Sequence, residues 1–231
     1  MRKISLSTPK EFSFDLCFSF LKRSPREVLH RIEEESVVKA IYVNNEIVVF
    51  RIGHRENELT VEFLTEKPSL KVKQKVYAYV REWFDLETDL KPFYSLAKKD
   101  DLLKGLVTKY FGYRIIGQPD LFESIIWAVL GQQINLQFAY TLKQRFVELF
   151  GESVEIQNQK YFLFPSPEVV AQITPDQLLA LQFSRQKASY TIGVAQVFAA
   201  GKLSKERLIG LPFKEAKEEL IKIKGIGNWT A

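Results

Sequence analysis

The chain has 231 residues, of which 46% are hydrophobic and 26% are charged. This composition excludes disordered, collagen-like and coiled-coil proteins, and it provides a core for one large domain or two ordinary ones. The net charge of +5 and the pI of about 9.1 are compatible with an anionic partner but do not identify one.

The front half of the chain carries strand signals. Residues 40–43 and 46–52 are rich in β-branched residues, and the intervening Asn44 and Asn45 tolerate positive φ, which predicts a β-hairpin. Residues 59–63 alternate apolar and polar side chains. They extend the hairpin to a small antiparallel meander.

From Lys71 the period of the apolar residues changes to that of an amphipathic helix. One face of this helix carries Val72, Val76, Tyr79, Val80 and Phe84. A helix of this kind can cover the sheet. We therefore expect residues 1–112 to form an α+β domain.

The second part, residues 113–231, reads as all-α, because prolines and glycines separate a series of helical segments. Asp120 and Glu123 stand where an N-cap and its partner three residues later begin a helix. We interpret both carboxylates as structural.

Side chains for metal or thiol chemistry are scarce. Cys17 is the one cysteine and lies between Leu16 and Phe18, which predicts a buried thiol in a reducing cytosol. His30 and His54 show no metal-ligand spacing. No segment reaches the roughly 18 apolar residues of a membrane helix, and the amino terminus lacks a signal-peptide core. We expect a cytoplasmic protein without a membrane partner.

The most specific segment is the last one, residues 214–231. A predicted helix is followed by Gly225, Ile226 and Gly227, and a new helix begins near Asn228. Backbone amides at a helix start bind anions such as a DNA phosphate. This pattern predicts a helix-hairpin-helix, although Gly-x-Gly alone is also an ordinary helix cap and turn.

Four sequence blocks decide between these readings. Residues 225–231 (Gly-Ile-Gly-Asn-Trp-Thr-Ala) resemble the hairpin of the helix-hairpin-helix DNA glycosylases, specifically of DNA-3-methyladenine glycosylase II. Residues 122–134, 164–168 and 183–188 resemble three further segments of that family, in the same order. The family's amino-terminal α+β domain is similar in pattern to residues 1–112.

The resemblance implies a base-excision repair enzyme that flips an alkylated purine out of duplex DNA and hydrolyses its N-glycosidic bond. Trp229 matches the family's pocket tryptophan, which attracts a cationic base. Phe20 resembles a second pocket aromatic, although the sequence is equally consistent with an ordinary core aromatic at this position. Glycosylase/lyase relatives carry a lysine at the position of Trp229, and an indole cannot form their Schiff base. A monofunctional enzyme is implied.

The resemblance also assigns DNA contacts. Gly225, Gly227 and Thr230 belong to the hairpin, and Gln132 lies in the second recognised block. Gln133, the next residue, stands where some relatives carry a leucine that fills the gap left by the flipped base.

No organic cofactor is implied. The family hairpin can hold Na⁺ or K⁺ on backbone carbonyls, which here would belong to Ile221, Ile223 and Ile226. The implied partner is duplex DNA containing alkylated bases, and the protein is expected to be a monomer, associated with the nucleoid if bacterial.

The family's catalytic aspartate lies beyond the hairpin tryptophan, and Ala231 is the last residue here. A developing sugar cation needs such a carboxylate. We therefore expect no catalytic residue in this chain, a helical domain cut within its hairpin, and an inactive fragment. Two alternatives remain: a non-catalytic DNA-binding module, and an oxidised-base glycosylase/lyase of the same fold.

Overall fold

The computed structural model describes residues 2–44, 46–65 and 67–231, which divide into two compact units. The first unit comprises Met1–Pro25, His30–Pro119 and Glu155–Tyr161. The second unit comprises Arg26–Leu29, Asp120–Val154 and Phe162–Ala231.

The first unit is a mixed sheet-and-helix structure. In chain order its elements are β1 (Lys3–Ser7), α1 (Phe14–Leu21), β2 (His30–Glu33), β3 (Ser36–Val43), β4 (Glu46–Arg55), β5 (Glu58–Phe63), α2 (Leu70–Trp83), α3 (Lys91–Ala97) and α4 (Leu103–Lys109). The strands form one antiparallel sheet in the order β1-β5-β4-β3-β2. The predicted meander is therefore confirmed as β3-β4-β5, and β1 and β2 extend it at its two edges.

The turn between β3 and β4 has the predicted backbone at Asn44, whose φ is 51°. Asn45 lies outside the described residues. The register pairs Ala40 with Val49 across this hairpin. It also pairs Val37 with Ile52 and Ile41 with Val48, and these four side chains are buried in one core.

Helix α2 begins where Ser69 accepts a hydrogen bond from the amide of Val72 at 3.2 Å. Val72, Val76 and Val80 are buried in the core of the first unit, as the period predicts. Cys17 is also fully buried, as predicted, and burial raises the pKa of its thiol. The thiolate that a nucleophile needs is thereby disfavoured.

The second unit is mainly helical, as predicted. From Leu121 onward the elements in chain order are α5 (Leu121–Gly131), α6 (Leu136–Phe150), β6 (Ser153–Ile156), β7 (Gln159–Phe162), α7 (Pro167–Ala171), α8 (Pro175–Ala180), α9 (Arg185–Ala199), α10 (Lys205–Ile209) and α11 (Phe213–Ile221). Residues Glu155–Tyr161 of β6, β7 and their turn are grouped with the first unit. In the described ranges no helix has the length and apolar content needed to cross a membrane.

The two-stranded sheet of β6 and β7 was not expected from the all-α reading. Its turn residues, Gln157 and Asn158, have φ of 52° and 61°, which suits a tight hairpin. Each strand has only 4 residues. Such strands are too short for their period to compete with the helical pattern around them.

A buried ion cluster anchors α5 and α6. Asp120 caps α5 by accepting from the Glu123 amide at 2.7 Å, as predicted. The Glu123 carboxylate lies 3.8 Å from the ammonium of Lys143, which also pairs with Glu27 at 2.9 Å. The ammonium lies over the ring of Trp127. Residues 26–29 are thus tied to the helices of the second unit.

Candidate nucleic-acid interface

The segment after α11 turns sharply at Gly225, where φ is +99°. A Cβ atom built on Gly225 would lie 2.4 Å from Cγ of Tyr190 on α9. This position therefore requires glycine for two reasons internal to the protein, its backbone angle and the close approach of an aromatic ring. The turn is closed by the Ile226 amide, which donates to the Ile223 carbonyl at 3.0 Å.

A helical turn begins directly after Gly227. The amides of Thr230 and Ala231 both donate to the Gly227 carbonyl at 3.0 Å. Among the described residues, none accepts a hydrogen bond from the amides of Gly227, Asn228 or Trp229. Three free donors at the start of a helical turn are the arrangement that binds phosphate.

Gly227 differs from Gly225 in what surrounds it. A Cβ built on Gly227 meets no atom within 4 Å, and its φ is not in the left-handed region. Nothing inside the protein requires glycine here. A side chain at this position would occupy the free space beside the amides and would crowd an approaching phosphate backbone.

The side chain of Gln132 connects the end of α5 to this hairpin. Its Nε2 donates to the Gly225 carbonyl at 2.9 Å and lies 3.5 Å from the Thr230 hydroxyl oxygen. These bonds join residues more than 90 positions apart in the sequence. Two of the predicted DNA-contacting segments are therefore held together directly.

Gln133 stands at the tip of the loop after α5. It is exposed and has a φ of 56°, a left-handed backbone conformation that is uncommon for a residue other than glycine. Such strain persists only where the surrounding structure enforces it, and it is concentrated at functional sites.

Lys187 on α9 holds this loop from beneath. Its ammonium donates to the carbonyls of Val129, Leu130 and Gln132 at 3.0, 2.9 and 2.6 Å. Lys187 is buried, and burial lowers the pKa of its ammonium. Its three donors reach carbonyls at the end of a helix, where intrahelical donors run out, and the Val129 carbonyl also accepts from the Gln132 amide at 3.4 Å.

Together these segments line one cleft of about 580 Å³ within the second unit. The lining comes from the loop after α5, the first turns of α9 and the hairpin glycines. The structure thus brings Gln132, Gln133, Gly225 and Gly227 to one surface.

Neither of the two predicted pocket aromatics is among the residues that line this cleft. Trp229 is 90% exposed in the last turn. Phe20 belongs to the first unit, in α1, where the Arg23 guanidinium lies 3.8 Å from its ring centroid. Their pocket roles stay predictions.

Within residues 2–44, 46–65 and 67–231, no three His, Cys, Asp or Glu side chains gather in a metal-binding group. Ile223 and Ile226, two of the residues whose carbonyls were assigned to a monovalent cation, have buried side chains in the core of the second unit. Ile221 is partly exposed at the end of α11.

Comparison with known families now identifies the fold. Residues 126–224, which include α11 and the part of the cleft lining that precedes Gly225, match the family model of the HhH-GPD superfamily base excision DNA repair proteins. The chain belongs to this superfamily. Residues 6–125 match the N-terminal domain model of 8-oxoguanine DNA glycosylase. The expected family and its two-part architecture are confirmed.

Individual members of the superfamily agree with this assignment. The chain is 41% identical to a DNA-3-methyladenine glycosylase of Bacillus subtilis, over 99% of this chain and 76% of the relative. The structure of a 3-methyladenine DNA glycosylase from Archaeoglobus fulgidus superposes with a TM-score of 0.83 at 23% identity, over 98% of this chain and 76% of that one.

A Clostridium acetobutylicum 8-oxoguanine glycosylase/lyase gives a TM-score of 0.72 at 18% identity, over 98% of this chain and 74% of that one. Because both solved structures are less than 25% identical to this chain, they show that the fold is shared and nothing more.

Sequence reasoning missed two residues of the interface. Lys187 lies in one of the recognised blocks, but only the folded structure shows that its ammonium reaches the end of α5. Tyr190 carries no motif signal, and its position under Gly225 follows from the packing of α9. Neither contact has a local signature.

Proposed function

We propose that this HhH-GPD protein, expressed from its whole reading frame, recognises alkylated purines in duplex DNA and initiates their removal as a monofunctional glycosylase. The observation that carries the proposal is the cleft that joins Gly227, the first of three consecutive residues with free amides, to an exposed, left-handed Gln133. The first feature suits a phosphate, and the second suits a residue that enters the base stack. The 41% identical relative bears the corresponding name.

The hairpin would supply affinity without reading sequence. The amides of Gly227, Asn228 and Trp229, which have no acceptor among the described residues, would donate to a phosphate and contact no base edge. The enzyme would therefore bind undamaged and damaged duplex through the same contact. Such a protein would act on chromosomal DNA and would therefore associate with the nucleoid in a bacterium.

Gln133 would fill the gap that a flipped nucleotide leaves in the stack. Its fixed backbone places an amide side chain at the exposed tip of the loop. Insertion of a side chain between bases offsets part of the cost of unstacking. A damaged base pairs weakly and so costs least to extract.

Trp229 would favour a cationic lesion. Alkylation at purine N3 or N7 leaves positive charge on the base, and an indole face attracts such a cation by about 1–2 kcal/mol when water is excluded. The 90% exposure of Trp229 leaves its ring available for a base.

A second candidate activity is an oxidised-base glycosylase/lyase. It is favoured by the match of residues 6–125 to the 8-oxoguanine glycosylase N-terminal domain. That chemistry needs an amine nucleophile, which the resemblance places at the position of Trp229. An indole nitrogen cannot take this role, so the match is better explained by the shared fold.

The test is release of methylated purines from alkylated duplex DNA, measured by chromatography with the protein expressed from its whole reading frame. We expect methylpurine release and a loss of about tenfold or more in Trp229→Ala, because the cation loses its aromatic face. Release of 8-oxoguanine in place of methylpurines would contradict the proposal.

Borohydride added during turnover serves as the control. A monofunctional enzyme forms no covalent DNA adduct, whereas a lyase is trapped through its Schiff base. Binding of alkylated duplex without any base release would favour the non-catalytic module.

A Na⁺ or K⁺ ion would suit the carbonyls of Ile221, Ile223 and Ile226, since neutral oxygens are ligands for hard cations. The hydrogen bond from the Ile226 amide to Ile223 supports a closed turn of the required kind. Replacing both ions by choline at constant ionic strength should then weaken duplex binding several-fold, measured by fluorescence anisotropy. Unchanged affinity would count against the ion.

A further inference from the structure

We propose that Lys187 is a positioning residue for base flipping, which fixes Gln133 and the phosphate-binding hairpin in one arrangement. The inference rests on the proposed function, since it concerns the step in which Gln133 enters the DNA. Lys187 itself is buried beneath the cleft and acts through the backbone of the loop above it.

The choice of lysine at this position is not explained by α9 itself. Lys187 lies in the first turn of α9, where Ser184 caps the helix by accepting from the Lys187 amide at 3.1 Å. A cation is unfavourable at the positive end of a helix dipole. At the end of α5 the opposite holds, because terminal carbonyls there attract positive charge.

The three acceptors of Lys187 define what it fixes. Val129 and Leu130 belong to the last turn of α5, and Gln132 is the residue immediately before Gln133. A single ammonium therefore bridges a rigid helix and the loop. Because the Gln132 carbonyl is held, the backbone that turns to φ 56° at Gln133 starts from a fixed point.

The same loop residue reaches the hairpin. The Gln132 side chain donates to the Gly225 carbonyl at 2.9 Å, while Tyr190, one turn beyond Lys187 on α9, packs against Gly225. The distance between the stack-entering side chain and the phosphate-binding amides is thus set by α9. Misplacement of such groups by about 1 Å is enough to cost a large factor in rate.

The test is a double-mutant cycle on the intact protein with Lys187→Met and Gln133→Ala. The DNA is a duplex with 2-aminopurine beside an abasic-site analogue, so that fluorescence reports entry into the stack without any chemistry. We expect each single variant to lower the equilibrium constant for entry by about tenfold. The double variant should fall no further, because Lys187 acts through Gln133.

A merely structural lysine predicts a different result. Its loss would lower the melting temperature, and the effects of Lys187→Met and Gln133→Ala on the equilibrium constant for entry would be additive. Additive effects would overturn the proposal. An unchanged equilibrium constant for entry in Lys187→Met would also overturn it. Lys187→Arg, which keeps a charged donor, should recover most of the signal. If Lys187→Met does not fold, Lys187→Gln is used, since its amide still donates to carbonyls, and the same non-additivity is expected.

The same measurements distinguish failure of the proposed function from failure of the role proposed for Lys187. If the proposed function failed, the parent protein would neither raise the 2-aminopurine fluorescence nor release methylpurines, and both proposals would fall. A parent that does both, with an additive cycle, would overturn only the role of Lys187.

Discussion

Replacing Gly227 with alanine should weaken duplex DNA binding by about tenfold or more and leave the melting temperature nearly unchanged. No protein atom lies within 4 Å of the added Cβ, so the folded state accommodates it within about 0.5 kcal/mol. The methyl group occupies the space beside the free amides of the hairpin. Loss of phosphate hydrogen bonds there accounts for the affinity change.

Gly225→Ala should behave in the opposite way. Its φ of +99° and the 2.4 Å approach to Tyr190 make alanine strained, and we expect a loss of about 2 kcal/mol or more in the free energy of unfolding. Urea unfolding and anisotropy with damaged and undamaged duplexes measure the two properties separately. The affinity loss of Gly227→Ala should be equal for both duplexes, because the contact reads no base.

Gly105→Ala provides a matched control. Gly105 lies inside α4 and an added Cβ meets no atom within 4 Å, as at Gly227. Alanine in a helix interior should stabilise by about 0.5–1 kcal/mol and leave DNA affinity unchanged. If Gly227→Ala bound DNA as tightly as this control, the assignment of the hairpin to phosphate would be wrong.

Lys143→Met should lower the free energy of unfolding by about 3–5 kcal/mol, a large share of the stability of a typical domain. Lys143 is paired with Glu27 and Glu123, and the three side chains are only 5%, 9% and 10% exposed. Methionine has a similar shape but leaves two carboxylates in a buried site without their cation. Urea unfolding followed by tryptophan fluorescence measures the loss.

The neutral variant with Glu27→Gln and Glu123→Gln added to Lys143→Met should recover part of the stability, because the two side chains that lost the Lys143 ammonium then carry no charge. Lys104→Met is the surface control, since Lys104 and Asp101 are 61% and 91% exposed. Its effect should stay below about 1 kcal/mol. A loss in Lys143→Met no larger than in this control would refute the role of the cluster.

The pH dependence of the stability that this cluster provides follows from the direction in which the pKa of Lys143 is shifted. Burial alone would lower the pKa of Lys143, but the carboxylates of Glu27 and Glu123 outweigh it and raise the pKa above its ordinary 10.5. The stabilisation is therefore complete below pH 10.5 and is lost as the pH rises through the raised pKa. At alkaline pH, the difference in the free energy of unfolding between parent and Lys143→Met should narrow as the pH rises through that range.

The sequence by itself determined the family, the α+β front half and the place of the hairpin. These features are local: apolar residues recur along α2, β3 and β4 are rich in β-branched residues, β5 alternates, and the hairpin glycines flank a single residue. Local patterns of this kind constrain backbone conformation directly. The edge strands β1 and β2 lacked such signals, and β6 and β7 were too short to show one.

The tertiary structure alone decided how the candidate site is held. In the sequence Gly225 and Gly227 are equivalent, yet the fold places Tyr190 against one and open space beside the other. Glu123 reads as a helix cap, yet packing places its carboxylate near Lys143. Lys187 reads as a motif residue, yet its ammonium reaches carbonyls more than 50 positions away. Contacts between residues so distant in the chain depend on how helices pack, which no local pattern specifies.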